Sequence, residues 1–325
     1  MPPAVRRKPF AILAVIVLAL GLAAAATAAN GGLTPPKPQS PNAGGINDSY
    51  KLISWFTLGI FAIVEGALVV FLVRFRSRGR RRDVDGAQIH GSTRLELFWT
   101  VLPVIVLAVI GSYVFYKLPG IEDVPARAGD RLEVQVQGRQ YYWMFTYPDG
   151  KVTIDRLKVP ARKVVHLAVT SPGYDVIHSW WIPELGGKFD AIPGKVNHTW
   201  FRADRVGTYE GQCAELCGLQ HAAMRAYVDV VPPAEYASFV AGGQPDLGKQ
   251  EYTGVCAKCH RLAADSPPLV GPNLGGNPLL KDAKGLEQIL RDGQGLMPAV
   301  GKGWSDAQMK ALTDYAKGLS SGSQG

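Results

Sequence analysis

The sequence predicts a multi-domain membrane protein: a two-helix transmembrane hairpin, an all-β Greek-key domain and a small all-α domain at the C-terminal end. Three observations carry this. Two long apolar runs, Leu52 to Val73 and Leu97 to Tyr116, flank a basic cluster. Beyond Pro125 apolar residues recur at every second position, and from Ser305 onwards they recur at helical spacing.

At the start, Arg6, Arg7 and Lys8 precede the apolar run Phe10 to Leu22, and small residues continue to Ala29. This is the layout of a secretory signal peptide over residues 1–29, with a retained anchor helix as the alternative. Residues 30–46, rich in Pro, Gly and Asn, read as a flexible lead-in. The hairpin then occupies residues 47–118. Arg74, Arg76, Arg78, Arg80, Arg81 and Arg82 follow its first span directly and supply much of the net charge of +8. Such a cluster marks a cytoplasmic connection rather than a nucleic-acid-binding face, so no nucleic-acid partner is expected and everything after the second span lies on the outer side of a cell membrane. Glu65, inside the first span, must face protein or water, either as a hydrogen-bonded structural carboxyl or as a proton-handling one. Glu96 sits at the cytoplasmic mouth of the second span, where spacing alone makes it an ordinary interfacial charge.

Residues 125–232 form the β-domain. Val134 and Val136 alternate with Glu133, Gln135 and Gln137; Val165, Leu167 and Val169 alternate with His166 and Ala168; further strands fall at Lys195 to Arg202 and Ala226 to Val231. Turns such as Pro148-Asp149-Gly150 separate them, which argues for a small sandwich or Greek-key barrel. Between two of these strands lies Gly211-Gln-Cys-Ala-Glu-Leu-Cys-Gly-Leu-Gln-His-Ala-Ala-Met224. Cys213, Cys217, His221 and Met224 are spaced so that a looped backbone turns all four side chains onto one point. Soft sulfur beside imidazole suits copper tuned for electron transfer. Zinc also accepts Cys and His, but its structural sites pair ligands at two separate places and have no use for Met224. A Cys213–Cys217 disulfide is the bland alternative, and it leaves the matched His and Met unexplained. His178, on a Pro-bounded turn, is the best candidate to complete the site. His90, His166 and His198 have ordinary explanations in a loop and on strands.

Pro232-Pro233 ends the β-domain, and Gly242 to Asp246 links it to residues 246–320. There Cys256-Ala-Lys-Cys-His260 is the C-x-x-C-H pattern of covalent haem attachment, with His260 as axial ligand. A thioredoxin-like pair or half a zinc site would need a βαβ context or a second Cys pair, and neither is present. The segment after His260 reads as loop-rich until Ser305, an N-cap that starts a helix through Leu319. Met309 keeps register with Leu312, Ala316 and Leu319 and is core, whereas Met297, in Gly295-Leu-Met-Pro298, sits on a loop able to bring sulfur to iron.

Together these motifs resemble cytochrome c oxidase subunit II in the form that carries a fused C-terminal cytochrome c domain. The resemblance runs from about Tyr50 to the C-terminus. It rests on Arg94-Leu-Glu-Leu-Phe-Trp-Thr100, Gly138-Arg-Gln-Tyr-Tyr-Trp143, His178-Ser-Trp-Trp-Ile-Pro-Glu184, Asp190-Ala-Ile-Pro-Gly194 and Cys213-Ala-Glu-Leu-Cys217. It implies a cupredoxin fold holding dinuclear copper A, bridged by Cys213 and Cys217, with His178 and His221 each on one copper, Met224 adding a weak bond and the Glu215 carbonyl serving the other metal. It further implies a magnesium ion shared with subunit I through the Glu215 carboxylate, and proton uptake at Glu96. The resemblance marks Tyr141 and Trp143, in the aromatic patch above the copper, as electron-relay candidates. Relatives that accept electrons from a separate cytochrome c usually carry Trp where this chain has Tyr141; a tethered haem docking its own way would explain that departure, with plain β-sheet packing of Tyr141 as the alternative.

The implied function is electron transfer in a proton-translocating terminal oxidase: from a donor cytochrome or respiratory complex, through haem c and copper A, to subunit I and oxygen. Quinol oxidases of the superfamily lack the copper ligands that this chain has. A copper-delivery protein would need an exchangeable site of few ligands rather than six candidate donors and a covalent haem. A nitrous oxide reductase would need a large catalytic domain for which the chain has no room.

Overall fold

The computed structural model describes residues 34–75, 88, 90–125, 129, 131–262 and 269–320. The expected signal peptide and Arg76 to Arg82 lie outside these residues. Helix α1 (Pro41–Arg74) and helix α2 (Thr93–Glu122) run against one another as the hairpin. Their apolar stretches have mean hydropathies of 2.5 and 2.2 and no part of either is buried by the chain itself. A helix that is apolar all round needs lipid or partner helices to cover it.

The lead-in departs from expectation. Residues up to 46 read as flexible, yet α1 begins at Pro41, a residue preorganised for a first helical position. The polar side chains there are used up on the β-domain. Asn42, 1% exposed, donates to the Trp200 carbonyl, Ser40 Oγ accepts from Arg202 N at 3.1 Å, and Gln39 N donates to the Glu184 carbonyl at 2.8 Å. The first span is therefore clamped directly to the domain it carries.

That domain is a sandwich of two five-stranded sheets. One holds β1 (Leu132–Arg139), β2 (Tyr142–Thr146), β3 (Val152–Ile154), β5 (Val165–Thr170) and β8 (Asn197–Phe201) in the order β3-β2-β1-β5-β8. The other holds β4 (Arg156–Pro160), β6 (His178–Trp181), β7 (Phe189–Ala191), β9 (Gly207–Cys213) and β10 (Arg225–Val231) in the order β4-β10-β9-β6-β7. Parallel pairs, Val134 opposite Leu167 and Val228 opposite Leu157, are embedded among antiparallel ones, so the chain crosses between sheets as a Greek key does. The alternating valines and leucines predicted from sequence fill the interior with Trp143, Phe145 and Trp180.

Strand β2 is buried on both faces, which the alternation rule explains. Trp143 and Phe145 enter the sandwich, while Tyr142 and Met144 enter a second core belonging to the C-terminal domain. Helix α3 (Pro233–Ala241) leads there, its C-terminal carbonyls capped by Lys151 Nζ, which donates to Phe239 O at 2.8 Å and Gly242 O at 3.0 Å. The C-terminal domain comprises α4 (Leu247–Gly254), α5 (Ala283–Asp292) and α6 (Asp306–Ser320). Gln308 N donates to Ser305 Oγ at 3.3 Å, the cap read from sequence.

Helix α5 corrects the expectation of a loop-rich segment between His260 and Ser305. It spans only ten residues, so its apolar face of Leu286 and Leu290 repeats too few times to stand out in the sequence. Its boundary signals were nonetheless present: Asp282 accepts from Gly285 N at 3.0 Å, and Gly293 ends the helix at φ 76°.

Candidate copper cluster and haem pocket

The Gly211–Met224 segment turns back on itself between β9 and β10. Cys213 N donates to Met224 O at 2.9 Å, which closes the loop, and a 3-10 turn over His221–Ala223 aims the imidazole inward. His178 is the first residue of β6 rather than part of the preceding turn, and it faces the loop from the neighbouring strand. The sequence-predicted donors converge. Cys213 Sγ lies 3.9 Å from Cys217 Sγ, 3.9 Å from His178 Nδ1 and 3.1 Å from Glu215 O. Cys217 Sγ lies 3.6 Å from His221 Nδ1 and 3.8 Å from Met224 Sδ. The thiols are free, and His178, Met224 and both cysteines are buried.

Electrostatics within the cluster favour one thiolate, and sulfur is a soft donor. The Cys217 thiol, with help from the His178 ring, holds the Cys213 thiol far below its ordinary range, at about 3, against the opposing effect of burial. The same contact, then burial, pushes Cys217 up. Two acids sharing one site release a first proton readily and retain the second. A cation held by these sulfurs would supply the charge that removes it.

Several residues that orient this cluster carry no motif. Asp175 Oδ1 lies 3.3 Å from His178 Nε2, which leaves Nδ1 for the sulfurs. Gln140 Nε2 donates to the Cys217 carbonyl at 2.7 Å. Asp175, three residues before His178, had a readable spacing; Gln140 had none.

The second site is a cavity of about 400 Å³ in the C-terminal domain, with Cys256, Cys259, His260 and Met297 all on its walls and mostly apolar side chains between them. His260 Nδ1 lies 2.7 Å from the Pro272 carbonyl, which fixes the ring and leaves Nε2 for iron. Burial pushes the Cys256 thiol up to about 12, the reverse of a thioredoxin-like nucleophile. An apolar slot lined by two thiols, an imidazole and a thioether fits a covalently attached haem. Met309, 3% exposed, is core as expected.

The two sites share a wall. Gln140 and Tyr141 line the cavity together with Leu219 and Gln220 of the cysteine loop, and Leu219 N donates to the Tyr141 hydroxyl at 3.1 Å. Tyr141 thus occupies the turn between β1 and β2, not a sheet position. Trp143 is fully buried, its ring edge-on to His178 at 6.2 Å between centroids. Glu215 presents its carboxylate to solvent, 3.8 Å from Lys188 Nζ. Glu96 and Glu65 are exposed along the hairpin. His166 pairs with Glu133 and stacks on His198.

Comparison with known proteins agrees with this arrangement. The family descriptions "cytochrome c oxidase subunit II, transmembrane domain", "cytochrome c oxidase subunit II, periplasmic domain" and "cytochrome c oxidase, cbb3-type, subunit III" match residues 28–116, 151–231 and 243–315. Cytochrome c oxidase subunit 2 of Alkalihalophilus pseudofirmus is 30% identical over 88% of this chain and 91% of its own. The chain belongs to the cytochrome c oxidase subunit II family. The subunit 2 of Thermostichus vulcanus is 31% identical over 63% of this chain and 76% of its own. The periplasmic domain of subunit II from Bradyrhizobium japonicum, a crystal structure, is 34% identical over 38% of this chain and 96% of its own, with a TM-score of 0.33. Family membership makes the protein a membrane-bound oxidase subunit with one outward-facing β-domain, of the family that carries copper A, and a cytochrome c domain.

Proposed function

We propose that the protein is the electron-transfer subunit of a haem-copper terminal oxidase, relaying electrons from a donor cytochrome or respiratory complex through its own haem c and copper A to subunit I. When bound, both groups supply reversible one-electron chemistry. In this reading Cys256 and Cys259 would hold the haem covalently, with His260 and Met297 offering nitrogen and sulfur to its iron. His178, Cys213, Cys217, His221, Met224 and the Glu215 carbonyl would hold the copper pair.

The observation that carries the reading is the shared wall. A hydrogen bond from Leu219 N to Tyr141 and another from Gln140 to the Cys217 carbonyl join the haem cavity to the cysteine loop, with no solvent layer required between them. Side chains packed this way keep two redox groups at one separation and exclude water from the gap. Tyr141 and Trp143 remain the relay candidates.

Further assignments follow the family pattern. Residues 1–29 would be removed as a signal peptide, leaving a two-pass subunit of the cell membrane with both redox domains on the outer face. The Glu215 carboxylate would meet magnesium at the boundary with subunit I. Glu96, on the opposite side of the membrane from the copper ligands, would admit protons to subunit I.

Optical and EPR spectroscopy of the purified oxidase tests this. The expected result is a covalently held haem c together with a mixed-valence copper signal that Cys213→Ser abolishes, the haem remaining reducible. An unchanged copper spectrum in Cys213→Ser would reject the bridging role.

A further inference from the structure

Lys258 stands between the two cysteines of the haem-attachment motif, where no chemistry of attachment calls for it. Its side chain is nevertheless only 12% exposed and pairs with Asp155, itself 11% exposed, across the boundary between the two domains. The same ammonium donates to the Tyr141 carbonyl at 2.8 Å.

Asp155 is held with unusual firmness. It occupies a left-handed turn between β3 and β4 at φ 56°; its amide donates to Trp143 O at 2.8 Å and its carbonyl accepts from Tyr227 N at 2.9 Å. Oδ1 accepts from Trp143 N at 2.9 Å, so Oδ2 is the oxygen that receives Lys258. Gly254, just ahead of the motif, closes the contact. A Cβ there would fall 2.6 Å from Ile154 Cγ2 and 3.2 Å from Asp155 Oδ2.

The contacts form one continuous chain. It runs from the Cys256–His260 turn, through Lys258, to the backbone of Tyr141. From there the Tyr141 hydroxyl and the Gln140 amide reach Leu219 N and the Cys217 carbonyl of the cysteine loop. A flexible tether would need none of these buried polar contacts, and a buried charge is tolerated only with a partner in good geometry.

We propose that Lys258 and Asp155 are positioning residues that lock the haem domain onto the copper domain and set the separation of their two redox groups. The cytochrome domain then works as a fixed relay rather than a swinging one. This rests on the haem and copper reading given above.

Lys258→Met and Asp155→Asn in the full oxidase test the lock. Both leave every candidate haem and copper ligand in place, and the amide introduced by Asp155→Asn keeps an acceptor for Trp143 N. Hydrogen exchange of the 140–143 and 252–262 segments is expected to rise on the order of a hundredfold. Haem-to-copper transfer after photochemical electron injection is expected to slow roughly tenfold or more. Reduction of haem by an added donor should keep its rate, and Lys258→Arg should restore most of the protection and of the transfer. Parental exchange or parental transfer in both variants would overturn the proposal. A parent oxidase lacking haem or copper signals would instead sink the function proposed above, while the exchange data would still decide whether the pair joins the domains.

Discussion

The Trp304 indole donates to the Tyr142 hydroxyl at 2.7 Å, and that hydroxyl donates in turn to Val300 O at 3.1 Å. Tyr142 belongs to β2, Trp304 to the loop before α6, so the bond crosses from one domain into the core of the other. Tyr142 is fully buried, and burial pushes its phenol well above the ordinary range. Tyr142→Phe keeps the ring but leaves the Trp304 N–H and the Val300 carbonyl unpartnered, at a cost of about 1–3 kcal/mol. Thermal unfolding of the full-length protein in detergent should show the loss; equal stability would mean that water replaces the hydroxyl.

Gly138 offers a test of copper-ligand placement. A Cβ there would come within 2.9 Å of His178 Cβ and 3.0 Å of its ring carbons. Gly138→Ala must therefore push the imidazole away from Cys213 or bend β1, and should weaken and broaden the copper EPR signal while leaving haem attachment intact. Gly173→Ala, where a Cβ meets nothing within 4 Å, is the control. An unaltered copper signal in Gly138→Ala would show that His178 is not held where copper needs it.

What could be read from sequence was local. Cys213, Cys217, His221 and Met224 fall within one loop, and Cys256 to His260 within one turn, so spacing alone discloses them. The alternation of Val134, Val136, Leu167 and Val169 discloses the sandwich for the same reason. Tertiary proximity was not legible. Nothing in Ser40 and Asn42 announces that their polar groups are spent on Trp200 and Arg202, so the start of α1 read as flexible. Gln140 and the Lys258–Asp155 pair act through neighbours that are 77 to 117 residues away in sequence. Only the docked helical domain, which receives Tyr142 and Met144, explains why both faces of β2 are apolar.

The two methionines of the C-terminal domain should separate cleanly. Met297→Ala removes a thioether from the cavity wall shared with His260, so haem should stay attached through Cys256 and Cys259 while the methionine-to-iron absorption band disappears and the potential falls. Met309→Ala empties a buried site and should cost about 2–5 kcal/mol without touching the band. The reverse pattern, with the band lost only in Met309→Ala, would assign the ligand to α6.

Glu251 should make the helical domain pH-sensitive in an unexpected direction. It lies fully buried in α4, with neither carboxylate oxygen in a well-formed hydrogen bond. Burial pushes its carboxyl from 4.5 up to about 8, against a smaller pull from the Gln308 side chain. Between those values the folded chain holds a proton that the unfolded chain has lost, so this group's contribution to stability falls as pH rises from about 4.5 to about 8. Below the window Glu251 is neutral in both states and costs nothing electrostatically. Glu251→Gln is neutral throughout. Its stability relative to the parent should therefore improve with pH, by on the order of a few kcal/mol between pH 5 and pH 8. Denaturant unfolding followed by Trp fluorescence at both pH values measures the difference. A gap between variant and parent that does not change with pH would mean that Glu251 is ionised in the folded protein, with a partner or water to hold its charge.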